Sequence, residues 1–255
     1  HEAGLDYPRV TGGYKAMRNF LLQQLERMCR DKAMLILAGH TGAAKTDVLQ
    51  GINGAIDLEG MANHRGSAFG RRASPQPAQI NFENAVIITM LKMCHQAPDR
   101  PLILEDESRL IGRCALPPVL REAMARAPVV LLESSLDDRT EHSYLNYILR
   151  KSAEWEEQAG EGKGFALFIE DLRESLFRVR KRLGGERYML VSEQMEQAIA
   201  AHEAGNPDSH RGWIRMLLKD YYDPMYDYQW QKHRDRVVFS GNRSSVKEFL
   251  VYGTH

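Results

Sequence analysis

One short segment constrains the fold of this chain more than any other: an apolar run that passes directly into a glycine-containing loop ending in Lys-Thr. Residues 33–38 predict a buried strand, and the loop that follows is Gly39-His40-Thr41-Gly42-Ala43-Ala44-Lys45-Thr46. A helix is predicted after it, through Leu49. This order predicts a phosphate loop, in which backbone N–H groups and a helix N-terminus surround a phosphate.

Every residue of the 39–46 loop is therefore a candidate for phosphate binding. Lys45 is expected to contact a terminal phosphate, and the Thr46 hydroxyl to hold Mg²⁺. The loop departs from the usual form at Ala44, where a glycine normally precedes the lysine, and the extra methyl is expected to crowd the phosphate. ATP or GTP binding is therefore left open, and the alternative is a chance turn between strand and helix.

The remaining pattern predicts the fold. Strands at 55–58, 102–104 and 129–132 alternate with helices at 81–94, for which Asn81 is the expected N-cap, and at 119–126. This alternation predicts an α/β, P-loop NTPase-like fold: a mostly parallel sheet with helices on both faces. From about residue 139 the sequence predicts an α-helical subdomain, with helices at 144–159, 165–183, 192–204 and 213–222, before a strand at 236–240.

Acidic residues follow the strand predicted at 102–104. Asp106 or Glu105 is expected near Thr46, where it would hold Mg²⁺ through water. Glu107 is a candidate catalytic base or water-orienting group. The alternative for Glu107 is a solvated or salt-bridged residue.

A second dense polar stretch, residues 57–70, follows the strand predicted at 55–58. It is expected at the open edge of the sheet, where α/β proteins bind ligands. His64 and Arg65 are candidate catalytic residues that would contact a phosphate or substrate, and Arg71 and Arg72 extend the positive charge. A solvated loop is the alternative.

The formal net charge is zero, so nucleic-acid binding would need a local basic patch. Such a cluster is predicted on and just after one helix: Arg178, Arg180, Lys181, Arg182 and Arg187. It suits an RNA backbone, although a solvated helix face is the alternative. The tyrosine-rich stretch 220–228 would either stack on unpaired bases or pack the helical subdomain against the sheet.

Other features narrow the class of protein. Cys29, Cys94 and Cys114 are far apart in sequence, which argues against a zinc site or a disulfide framework and favours a reducing cytoplasm. No apolar run reaches the length of a membrane helix. We expect a cytoplasmic protein, a monomer without a membrane contact, and, because it does not begin with Met, a fragment of a longer chain.

Five motifs resemble bacterial tRNA 2-selenouridine synthases, in order and over nearly the whole chain. They are residues 12–18 (Gly-Gly-Tyr-Lys-Ala-Met-Arg), the 39–46 loop, 58–67 (Leu-Glu-Gly-Met-Ala-Asn-His-Arg-Gly-Ser), 105–112 (Glu-Asp-Glu-Ser-Arg-Leu-Ile-Gly) and 221–226 (Tyr-Tyr-Asp-Pro-Met-Tyr). The third is much more specific than the phosphate loop.

The resemblance implies an N-terminal rhodanese domain joined to a phosphate-loop domain. It implies tRNA as partner, with Arg71, Arg72, Arg178, Arg182 and Tyr222 as candidate contacts. The wobble 2-thiouridine would be geranylated on sulfur from geranyl diphosphate, and selenium from selenophosphate would then replace the S-geranyl group. The rhodanese cysteine is the expected selenium carrier, and no cysteine here lies in a rhodanese-like loop.

The expected organisation is the end of a rhodanese domain or linker helix at 1–30, a P-loop core at 31–138, the helical subdomain at 139–235 and a returning strand at 236–255. Without the rhodanese cysteine, the chain should not complete selenium transfer. Two other hypotheses stay open: a phosphate-loop kinase or ATPase acting on a small molecule, and a non-catalytic RNA-binding module whose loop is structural.

Overall fold

The computed structural model describes residues 10–230 and 234–253. The strands, in chain order, are β1 (Met34–Ala38), β2 (Ala55–Ile56), β3 (Leu102–Glu105), β4 (Leu110–Ile111), β5 (Cys114–Ala115), β6 (Val129–Leu132) and β7 (Val237–Gly241). The main sheet has five strands in the order β2-β3-β1-β6-β7, and each neighbouring pair is parallel. β4 and β5 form a separate antiparallel hairpin.

The central strand β1 is buried along its whole length because both faces of the sheet are covered. Met34, Ile36 and Ala38 join one hydrophobic cluster, whereas Leu35 and Leu37 join the cluster on the opposite face. Successive side chains of a strand point to opposite faces, so a continuous apolar run fills two cores at once.

The helices are α1 (Gly13–Asp31), α2 (Lys45–Leu49), α3 (Leu58–Met61), α4 (Gln79–Gln96), α5 (Pro118–Arg126), α6 (Leu136–Tyr144), α7 (Arg150–Ala159), α8 (Lys163–Leu183), α9 (Gly185–Glu203), α10 (Arg211–Leu217), α11 (Asp223–Trp230) and α12 (Arg243–Tyr252). Two π-helical turns interrupt this series, Leu145–Leu149 between α6 and α7 and Leu218–Tyr222 between α10 and α11.

Helices cover the sheet on both sides. α1, α4 and α5 contribute buried side chains to one face, and α2 and α12 contribute them to the other. The predicted α/β fold with a mostly parallel sheet is confirmed. We call this part, with its strands, the sheet half.

The remaining helices, α6 to α11 over residues 136–230, pack around a core of their own and form the helical half. Its centre holds Phe168, Trp213 and Tyr144, and Phe69 reaches it from the loop before α4. A predicted polar loop therefore contributes a buried aromatic residue to a distant helical core. The predicted 1–30 segment forms α1 from Gly13 onward, and residues 1–9, 231–233 and 254–255 lie outside the described residues.

Several local predictions were wrong, including the start of the helix predicted at 192–204, which begins at Gly185 as α9. Asn81 is not an N-cap, because α4 begins at Gln79 and Ala78 occupies the cap position. The strand predicted at 55–58 ends at Ile56, because the Asp57 carboxylate accepts a hydrogen bond from the Gly60 amide at 2.7 Å and starts α3. The β4–β5 hairpin, α6, α11 and α12 had no counterpart in the prediction.

Candidate phosphate-binding site

A cleft of about 880 Å³ lies where the sheet half and the helical half meet. The carboxyl ends of β1, β2 and β3 form one wall, as expected for a parallel sheet. α8 and the segment from Leu218 to Trp230 form the opposite wall. The lining residues are Gly39, Thr41, Gly42, Lys45, Glu59, Arg65, Gly66, Ser67, Ala68, Asp106, Glu107, Ser108, Tyr147, Arg178, Val179, Arg182, Tyr221, Tyr222, Met225, Tyr226 and Trp230.

Two residues of the 39–46 loop have the positive-φ backbone conformation that glycine normally adopts. Gly42 has a φ of 84°, and a Cβ there would lie 2.7 Å from the Ser143 Oγ and 2.9 Å from the Arg139 carbonyl oxygen. Ala44 also has a positive φ, of 64°. The chain therefore keeps the left-handed turn before the lysine although it carries a methyl group there, which costs roughly 1 kcal/mol.

The two residues that begin α2 point their functional groups at the loop and at β3. The Lys45 Nζ donates to the Gly39 carbonyl at 3.1 Å, so the lysine folds over its own loop. The Thr46 Oγ1 donates to a Glu105 carboxylate oxygen at 2.5 Å and lies 3.4 Å from Glu59. Of the two acids predicted near Thr46, Glu105 is the one that bonds to it, and Asp106 lines the cleft.

Three glutamates, Glu59, Glu105 and Glu107, lie close to one another beside the phosphate loop. Burial, together with the charge of Glu59, raises the pKa of Glu105 to about 8. Burial also raises the pKa of Glu59, and burial with the neighbouring Glu59 raises that of Glu107 well above its usual value. The carboxyl groups of Glu59 and Glu107 therefore lie close enough for each to influence the pKa of the other.

The site fits a hard divalent cation. The Glu105 Oε2 is buried without a hydrogen-bond partner, beside the Thr46 hydroxyl. The described residues contain no group of three or more His, Cys, Asp or Glu side chains arranged as a metal site. Mg²⁺ retains several waters and needs only one or two carboxylates, so the Thr46–Glu105 pair suits it.

α11 covers the phosphate loop from the helical half. The His40 ring lies 4.3 Å from the Tyr226 ring, and its Nε2 lies 3.2 Å from an Asp227 carboxylate oxygen. The Arg139 guanidinium donates to both Asp223 carboxylate oxygens, at 2.6 and 2.8 Å. It also donates to the Thr41 carbonyl at 3.4 Å, so a single buried side chain joins the loop to α11.

The predicted tRNA-contacting residues fall into two groups. Arg178, Arg182 and Tyr222 line the cleft, opposite Lys45. Arg71 and Arg72 do not: Arg71 lies within 3.6 Å of the Asp171 and Glu174 carboxylates, and Arg72 donates to Glu154. Their guanidinium groups are occupied by acids of the helical half.

The 57–70 stretch is packed, so the solvated-loop alternative does not describe it. His64 is buried outside the cleft lining, where its ring lies against Gly70 and Gly112, and burial lowers its pKa to about 4. Arg65 reaches the cleft wall while its guanidinium pairs with Glu154. The catalytic roles predicted for His64 and Arg65 stay predictions.

A buried ion pair fixes this stretch to the helical half. The Lys151 Nζ donates to Asp171 at 2.5 Å and to the Phe69 carbonyl at 2.7 Å. Both side chains are excluded from solvent, and burial lowers the pKa of Lys151. The loop that forms one side of the cleft is therefore anchored by a charged group from α7.

Sequence reasoning missed several cleft residues. Glu59 lies on α3, three residues after β2, and that position near the carboxyl edge was a usable signal. Tyr147 and Trp230 gave no comparable signal, because they reach the cleft through the packing of the helical half.

In this protein a glycine-containing loop, followed by Lys45 and Thr46, lies at the carboxyl edge of a parallel sheet. This arrangement defines a phosphate-loop protein. A family model described as "tRNA 2-selenouridine synthase AAA domain" matches residues 32–254. The chain therefore belongs to the tRNA 2-selenouridine synthase family, a family of tRNA-modifying enzymes, and the predicted resemblance is confirmed.

Curated relatives agree with the family model. The chain is 54% identical over 253 residues to a tRNA 2-selenouridine synthase of Hahella chejuensis, an alignment that covers 99% of this chain and 67% of the relative. It is 49% identical over 250 residues to that of Azotobacter vinelandii, covering 98% of this chain and 67% of the relative. No solved structure matches the chain. Within residues 10–230 and 234–253, no helix has the length and apolarity that crossing a membrane requires.

Proposed function

We propose that this chain is the diphosphate- and tRNA-binding part of an enzyme that converts the wobble 2-thiouridine of tRNA to 2-selenouridine through an S-geranylated intermediate. The observation that carries the proposal is the composition of the cleft. Lys45 and the loop amides lie on one wall, and Arg178, Arg182 and Tyr222 on the other. A diphosphate and an RNA strand would therefore meet in one cavity.

In the geranyl-transfer step, the sulfur of 2-thiouridine attacks the first carbon of geranyl diphosphate. A C–S bond forms, the C–O bond to diphosphate breaks, diphosphate leaves with the electron pair, and the N3 proton of the base is released to water. The 39–46 amides and Lys45 would stabilise the charge on the leaving group. Thr46 and Glu105 would hold Mg²⁺, which supplies further neutralisation of the diphosphate when bound.

In the second step, a C–Se bond would form at C2 of the base while the C2–S bond breaks, so that the geranyl group leaves as a thiol. The selenium would come from selenophosphate, whose P–Se bond is cleaved with release of phosphate. We assign no selenium carrier within this chain. Cys29 and Cys114 are buried, burial raises the pKa of both thiols, and neither they nor Cys94 lines the described cleft. A cysteine outside this chain, as in a rhodanese domain, would serve that step.

The test is isothermal titration of the chain with geranyl diphosphate and with ATP, each with Mg²⁺. The variants are Lys45→Ala and, as a matched control, Lys92→Ala on the exposed side of α4. We expect geranyl diphosphate to bind the parent and the control, and Lys45→Ala to lose binding. Binding of ATP alone would favour the kinase or ATPase alternative, and binding of neither ligand would overturn the proposal.

A further inference from the structure

The turn between α8 and α9 carries a concentration of positive charge. We call residues 177–190 the hairpin tip, and its basic side chains are Arg178, Arg180, Lys181, Arg182 and Arg187. Glu186 is the acid of the tip. Because the whole chain has a formal net charge of zero, this excess is local.

Much of this charge is not neutralised by the protein. Lys181, Arg182 and Arg187 are exposed, and no ion pair within the described part of the chain includes them. Arg187 donates to the Asp220 carbonyl at 3.4 Å. Elsewhere on the helical half, by contrast, Arg173 pairs with Glu196 at 2.6 Å.

The tip also presents a flat surface. The Phe177 side chain is 52% exposed, and the Arg180 guanidinium lies 3.4 Å from the centre of its ring. An exposed aromatic ring with a stacked guanidinium is a platform on which an unpaired base can stack.

The basic surface continues into the cleft. Arg178 and Arg182 are one helical turn apart on α8, so they project on the same side, and both line the cavity opposite Lys45. Lys181 and Arg187 extend the charge outward from there. A strand whose nucleotide enters the cleft would therefore pass along the hairpin tip.

We propose that the hairpin tip is an RNA-docking surface that binds the tRNA backbone outside the nucleotide that enters the cleft. This proposal rests on tRNA being the substrate, as proposed above. Lys181 and Arg187 contact phosphates there, and Phe177 with Arg180 stacks on an unpaired base. Arg178 and Arg182 hold the phosphates next to the reacting nucleotide.

The test is the affinity of the chain for labelled tRNA at several salt concentrations, with Lys181→Ala/Arg187→Ala beside the parent. Each lost phosphate contact lowers the slope of log affinity against log salt by roughly 0.7 to 0.9. We expect the double variant to bind about tenfold more weakly at physiological salt and to lose roughly 1.5 from the slope. Phe177→Ala should weaken binding and leave the slope unchanged, because stacking releases no counterions.

Arg173→Ala is the matched control, since it removes an arginine of the same helix whose charge Glu196 already neutralises. It should bind tRNA like the parent, and Lys181→Arg/Arg187→Lys should restore the parental slope. An unchanged slope in the alanine double variant, or no tRNA binding by the parent, would overturn the proposal. Diphosphate titration of the same variants separates this failure from failure of the phosphate site, because Phe177, Lys181 and Arg187 do not line the cleft that contains Lys45.

Discussion

The sheet half and the helical half bury their interiors in different ways. Among the buried polar or charged side chains of the described structure, His64 and Glu105 belong to the sheet half. The others lie between residues 139 and 210, and they are Arg139, Thr140, Ser143, Lys151, Ser152, Asp171, Ser175 and His210. Continuous apolar strands and apolar helix faces fill the interior of the sheet half, whereas specific polar pairs determine much of the helical half.

This difference bears on the cleft, since each half supplies one wall. The phosphate loop is held by a strand–helix pattern that tolerates changes in apolar identity. The opposite wall depends on contacts such as Lys151 with Asp171 and Arg139 with Asp223. We therefore expect the second wall to be the more sensitive to single substitutions.

The largest expected effect is from Lys151→Met, which leaves the Asp171 carboxylate buried without its partner. Unfolding in urea should show a loss of roughly 3–5 kcal/mol. Lys151→Met/Asp171→Leu should recover most of that loss, because an apolar pair needs no charge compensation. A double variant as unstable as the single one would mean that packing, rather than charge, holds α7 against α8.

A smaller loss is expected from Asp223→Ala, which leaves the buried Arg139 guanidinium without its bidentate partner. We expect a loss of about 2–3 kcal/mol in the free energy of unfolding and weaker diphosphate binding, because Arg139 also bonds to Thr41. Asp137→Ala, which removes an exposed partner of Arg215, is the control. Unaltered diphosphate affinity in Asp223→Ala would mean that the contact between Arg139 and α11 does not support diphosphate binding by the loop.

Acid should destabilise the helical half through His210. Burial lowers the pKa of His210 from 6.5 to about 4, so between these values the unfolded chain binds more protons than the folded one. The contribution of His210 to stability therefore falls as pH drops from 6.5 toward 4, by up to about 1.4 kcal/mol per pH unit. His210→Gln, which can still accept from the Trp213 indole, should flatten this dependence, and the exposed His95→Gln should leave it unchanged.

The smallest effect belongs to the sheet half. Ala44→Gly should stabilise the protein by up to about 1 kcal/mol, because glycine adopts the positive φ of 64° without a steric cost. Thermal unfolding would show a small rise in Tm. A fall instead would mean that the methyl packs favourably in the loop.

Sequence predicts some features of the molecule and not others. The continuous apolar segment at residues 33–38 predicts β1 correctly, because a short apolar run of this kind is typical of a buried strand in a parallel sheet. The prediction of Asn81 as the N-cap of α4 was wrong, because a residue type that favours the cap position also occurs within the first turn of a helix. In the site, the 39–46 loop follows from local sequence, whereas the pairing of Arg65 with Glu154 joins residues far apart in the chain and has no local signature.

The two π-helical turns place the tyrosines of the cleft: Tyr147 lies in the first, and Tyr221 and Tyr222 in the second. Such a turn holds one residue more than an α-helical path of the same length. Deleting one residue from either turn would restore that path and rotate the preceding side chains by about 100° relative to those that follow. Chain length at these turns, as much as side-chain identity, thus encodes the direction in which the tyrosines face.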